Sequence, residues 1–172
     1  MKNLLSLTFV LSSLLSTAQF DAMNDPSLSE DQKGAMRTVL ELFKAYRDGD
    51  AEGLAATFAE GALFQRVTMK EGKTVVTPPN PAQGFVDYVA QNGKAHKHDE
   101  PVWDYVINVD GGLASVWVKY AFFMDDEFHH CGEENFLLVK GEGWKIFHLV
   151  DTSKEEGCVV PEEVSKGGGR LF

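Results

Sequence analysis

A chain of 172 residues, 44% hydrophobic and 24% charged, has the size and make-up of one ordinary globular domain and excludes a disordered one. Its formal net charge of −10 argues against nucleic acid and anionic membranes as partners. Its apolar runs stay below the ~20 residues of a membrane span, which excludes stable membrane insertion.

The first 18 residues differ from the rest. Lys2 precedes an apolar run, Leu4 to Leu15, and Ser16-Thr17-Ala18 offers a small-residue cleavage site. Residues 1–18 therefore read as a secretory signal peptide, and the protein as exported, either periplasmic or secreted. Residues 19–28 read as a polar leader, 29–158 as the domain and 159–172 as a flexible tail carrying Gly167-Gly168-Gly169.

Within the domain, Ser29 and Gln32 form a capping box, and Met36, Val39, Leu40, Phe43 and Tyr46 follow at helical spacing. Asp48-Gly49-Asp50 stops this helix, and Asp50 caps a shorter one with Leu54, Ala55 and Phe58. Ala62 to Met69 and Lys73 to Thr77 form a hairpin through Lys70-Glu71-Gly72. A third helix is expected from Asn80 as cap and Pro81 as first residue through Asn92, burying Phe85, Val89 and either Val86 or Tyr88.

Four strands then fill the chain: Val102 to Val109, Leu113 to Met124, Phe128 to Val139 and Trp144 to Asp151. Their short Gly- and Asp-rich separators suit antiparallel turns. Such a meander must cover its apolar face, and only the three helices are available for that. Cys131 and Cys158 either pair, as an oxidising compartment permits, or remain two buried thiols.

The element order, together with His130-Cys131-Gly132, Phe136 to Lys140, Gly143-Trp144-Lys145-Ile146 and His148 to Thr152, resembles the nuclear transport factor 2-like (SnoaL-like) superfamily over about residues 29 to 158. The resemblance implies an α+β fold in which a cone-shaped, curved antiparallel sheet is closed by three N-terminal helices. It implies a cavity inside the cone, and a set of activities that includes isomerases, cyclases, dehydratases and transport adaptors.

Strand alternation supplies candidate residues for that cavity. Trp144, Ile146, His148 and Val150 share one parity and are assigned to the interior, because Lys145 on the other parity needs water. His130, Gly132, Glu134, Phe136 and Leu138 share a parity in the neighbouring strand. His130, Glu134 and His148 are thus the candidate acid–base groups, with Tyr46, Trp103, Trp117 and Phe136 as candidate ligand-binding aromatics. The alternatives are a satisfied core histidine, a surface carboxylate and ordinary packing. Five histidines invite a metal, but alternation sends His129 and His130 to opposite faces, so no metal site is predicted. No cofactor motif is present.

Three functions fit these residues. Foremost is an exported protein that binds a small apolar or aromatic molecule in the cavity. The second is a cofactor-independent isomerase, dehydratase or cyclase working by acid–base groups. The third is a homodimeric interaction module using an outer sheet face, with Phe147 and Leu149 making that face apolar.

Overall fold

The capping box closes as its sequence requires: Gln32 N donates to Ser29 Oγ and Ser29 N to Gln32 Oε1, starting helix α1 (Glu30–Asp48). Its apolar stripe of Met36, Val39, Leu40, Phe43 and Tyr46 is buried throughout. Gly49, at φ 65°, ends the helix in the left-handed conformation that glycine adopts without strain. Asp50 then accepts from Gly53 N and caps α2 (Ala51–Thr57). The computed structural model describes residues 22–165. The segment expected to be a signal peptide, residues 19–21 of the leader and the glycine run at 167–169 lie outside the described residues.

Strand β1 (Phe58–Lys70) turns through Glu71 and Gly72, both at positive φ, into β2 (Lys73–Val76). The expected helical start at Asn80-Pro81 is instead a short strand, β3 (Asn80–Pro81), whose partners on β1 are Phe64 and Leu63. Helix α3 (Gln83–Asn92) begins just after it and buries Val86 and Val89. A second short strand, β4 (His98–Asp99), precedes the meander of β5 (Val102–Asp110), β6 (Leu113–Met124), β7 (Glu127–Lys140) and β8 (Trp144–Thr152).

The sheet runs β2-β1-β8-β7-β6, with β4 and β5 both pairing β6. It is antiparallel except where β1 lies parallel to β8. That one parallel pair makes the sheet mixed, a correction to the all-antiparallel expectation, since no local signal announces a pairing between strands so far apart in sequence. Helices α1 to α3 cover the concave face, where Val116, Val118, Phe136, Leu138 and Ile146 form the core.

The described ends of the chain also pack. Ala22 is buried in the main core, and Tyr105 donates its hydroxyl proton to Asp25 across 3.0 Å. At the other end Cys131 and Cys158 form a disulfide, and a last short helix, α4 (Glu162–Ser165), buries Val164 against Trp103, Ala121 and Cys131 on the convex face. Packed structure therefore continues past residue 158, where the sequence placed the start of a loose tail. Among the described residues no helix is long and apolar enough to cross a membrane.

Candidate functional site

The concave face holds a recess of about 170 Å³ near the mouth of the cone. Tyr46 of α1, Phe64 of β1, Phe85 and Tyr88 of α3 and Phe122 of β6 supply aromatic walls, with Leu149 of β8. Tyr46 meets Phe85 edge-on at 5.0 Å and lies nearly parallel to Phe122 at 6.0 Å. Three polar side chains join them: Arg66 of β1, Glu100 between β4 and β5, and His130 of β7.

Behind this wall lies a cluster of acids. Arg66 and Asp151 are direct partners in the β1–β8 register, and Arg66 Nε lies 2.9 Å from both carboxylate oxygens while its terminal nitrogen reaches Oδ2. Asp151 is only 2% exposed, so this fork-shaped ion pair sits at the edge of the core. Glu134, opposite Asp151 on β7, is buried, and its Oε2 finds no hydrogen-bond partner among the described residues. Tyr120 donates to the Thr152 carbonyl at 2.8 Å.

One guanidinium thus faces three carboxyl groups in a poorly solvated space, and the proton affinities follow. Burial, reinforced by Asp151, pushes the Glu100 carboxyl up to about 8. Burial also holds Glu134 well above the usual carboxylate range, with Glu100 and Asp151 adding to it. Asp151 is raised by burial against the opposing pull of Arg66. His130 moves the other way, to about 4, because burial and the Arg66 charge both penalise imidazolium. The recess at neutral pH therefore offers a protonated carboxyl and a neutral imidazole on one wall. Burial likewise raises the Tyr46 phenol, which stays protonated.

The sequence candidates separate into two groups. His130, Glu134, Phe136 and Tyr46 all face the concave side, with His130 and Tyr46 lining the recess, Glu134 behind it and Phe136 deeper, edge-on to Phe43. His148 does not join them. A register shift between Leu137 and Leu138 inserts Phe147 as an extra residue in β8, so the side-chain alternation reverses there. Leu149 and Asp151 turn inward, whereas His148 lies on the convex side with Nε2 3.1 Å from Gln65 Oε1. Leu149, 4% exposed, is for the same reason unavailable to an outer contact face.

The two candidate tryptophans, Trp103 and Trp117, are also convex. Trp103 pairs with Lys119 and is buried beneath the C-terminal segment, and Trp117 is exposed with Nε1 donating to Glu133 Oε2 at 3.1 Å. Alternation explains this, since Val116, Val118 and Tyr120 take the inward parity of β6. A second register shift, between Phe122 and Phe123, makes His129 the extra residue on β7. His129 and His130 consequently do not diverge, and their Nδ1 atoms are 3.0 Å apart. Among the described residues no group of three or more histidine, cysteine, aspartate or glutamate side chains is arranged to hold a metal ion.

Arg66, Glu100 and Asp151 are absent from the sequence candidates. Arg66 shares the parity of Phe64 in a strand that was recognised, so a lone cation on an inward parity was a usable signal. Glu100, just before Pro101 in a short irregular stretch, offered none.

Likeness to known proteins is confined to shape. No protein-family model and no curated protein sequence matches the chain. A protein of unknown function with a cystatin-like fold from Nostoc punctiforme superposes with a TM-score of 0.59 at 10% identity, covering 75% of this chain and 95% of its own. An NTF2-like protein with a cystatin-like fold from Novosphingobium aromaticivorans gives 0.57 at 13% identity, covering 76% and 85%. A candidate dehydratase of the NTF2-like family from Streptomyces avermitilis gives 0.55 at 12% identity, covering 72% and 96%. Helices, mixed sheet and these superpositions together establish that the chain has the nuclear transport factor 2-like fold.

Proposed function

We propose that this protein is exported and binds a small apolar or aromatic molecule in the recess at the cone mouth. The supporting observation is the recess itself: five aromatic side chains around about 170 Å³, with Arg66, Glu100 and His130 placed to orient a polar group. Native mass spectrometry of protein purified gently from an exporting host tests this. The expected species lacks residues 1–18 and carries an organic molecule, and Phe122→Lys, which replaces a ring of the wall by an ammonium group, abolishes the added mass. Identical bare masses for both proteins would sink the binding reading.

A second reading is favoured by the opposite shifts of two groups on one wall. Glu100, protonated up to about pH 8, is a proton donor, and His130, neutral down to about pH 4, is a proton acceptor. Such a pair suits a cofactor-independent isomerase, dehydratase or cyclase, with Glu134 as a buried proton reservoir behind it. The candidate dehydratase from Streptomyces avermitilis shares the fold, and its name lends the idea only analogy. Homodimerisation is a further part of the proposal, through exposed Val106, Leu113, Trp117 and Val139 on the convex face.

A further inference from the structure

We propose that the molecule taken by the cone-mouth recess is a small organic cation, held by the aromatic rings and by the Glu100 carboxyl, whose proton it displaces. This rests on the recess being a ligand site, and it adds the charge of the ligand.

Three observations carry it. The first is ring content. Tyr46, Phe64, Phe85, Tyr88 and Phe122 line one small space, and Tyr46 stands at 71° to Phe85 while lying 13° from parallel to Phe122, so ring faces present in more than one direction. Ring faces carry partial negative charge and attract cations most strongly where water is excluded. The Phe64 face already attracts the Arg66 guanidinium, whose carbon is 5.8 Å from the ring centroid.

The second observation is the charge count. Arg66 directs its hydrogen bonds to Asp151, leaving Glu100 on the wall and Glu134 behind it with no second guanidinium or ammonium lining the recess. Glu134 Oε2 is buried and unpartnered among the described residues, the mark of a group waiting for positive charge or a proton. Arg66 and Asp151 balance each other and both glutamates hold protons, so a cation gains an anionic partner by displacing the Glu100 proton, which a neutral or anionic ligand has no means of doing. Thirdly, the formal net charge of −10 draws cations toward the protein at long range.

The proton held by Glu100 gives the inference a pH signature. Glu100 is faced by Arg66 from β1, Tyr46 from α1, Tyr88 from α3, Asp99 from β4, Tyr120 from β6, His130 and Glu134 from β7 and Asp151 from β8. Of these, Arg66 stays charged, and both Tyr46 and Tyr120 stay protonated. His130 stays neutral above about pH 4. A cation arriving below the Glu100 pKa of about 8 displaces its proton. Cation affinity therefore rises roughly tenfold per pH unit toward that value and levels off above it.

Choline and its uncharged carbon isostere, 3,3-dimethylbutan-1-ol, separate the ideas by calorimetric titration of the purified protein. Expected is choline binding at least about tenfold more tightly than the isostere at pH 8, with only the choline affinity rising from pH 6 to 8. Glu100→Gln, checked for an unchanged melting profile, should erase the preference for choline over the isostere. Equal binding of the two, or tighter binding of the alcohol, overturns the cation inference while the recess remains a ligand site. Binding of neither at millimolar concentration overturns the cation inference, and the mass of the gently purified protein then decides separately whether the recess is a ligand site. Should the variant unfold, the wild-type pH dependence decides: a flat choline profile between pH 6 and 8 rejects the exchange of proton for cation.

Discussion

Side chains along β6 and β7 alternate between a concave and a convex face, yet the two faces solve the problem of burial differently. The concave face is sealed by helices and keeps its polar groups in one cluster, where Arg66 meets Asp151 and where Glu134 and Glu100 hold protons tightly. On the convex face Trp103 is covered by the disulfide-tied C-terminal segment, while Val106, Leu113 and Trp117 stay open to solvent. Stability on the inside thus comes from the apolar core, within which a buried charge must keep its partner. Outside, it depends on a covalent tie and a small satellite core, and the open apolar surface is left for contacts.

Three substitutions test that contrast, in falling order of effect. Arg66→Leu strands the buried Asp151 carboxylate and should cost about 3–5 kcal/mol in urea unfolding, with most of it recovered when Asp151→Leu is added. A cost below about 1 kcal/mol would mean that the concave cluster is hydrated enough to need no partner. Next, replacing Cys131 and Cys158 by serine removes a link between residues 27 apart and should cost about 3 kcal/mol. Proteolysis of the convex segment should accelerate in that variant while the concave core stays protected. Smallest is Trp117→Ser, expected to change monomer stability by no more than about 0.5 kcal/mol while weakening self-association in sedimentation velocity. If Trp117→Ser destabilises as much as Arg66→Leu, the two faces do not differ in the way described.

The residues recovered from sequence are those whose role is set by near neighbours. The α1 stripe from Met36 to Tyr46, the Ser29–Gln32 box and the Gly49 stop are written in spacings of three and four residues, and each stands where it was expected. His130, Glu134 and Phe136 fall on the inward side because no irregularity intervenes between them in β7. His148 fails for the complementary reason. One extra residue at Phe147 reverses every later side chain in β8, and a period-two argument has no means of detecting it.

The amino-acid sequence by itself determined the helices, the hairpin, the order of the four long strands and the burial of one apolar face, all consequences of local periodicity and capping. Tertiary structure alone decided the parallel seating of β1 beside β8, and through it the meeting of Arg66 with Asp151 across 85 positions of sequence. It also decided the seating of Glu100 in the recess and of Trp103 under the C-terminal segment. These placements depend on which distant surfaces meet in three dimensions, and two bulges of a single residue each were enough to set which side chains face the recess.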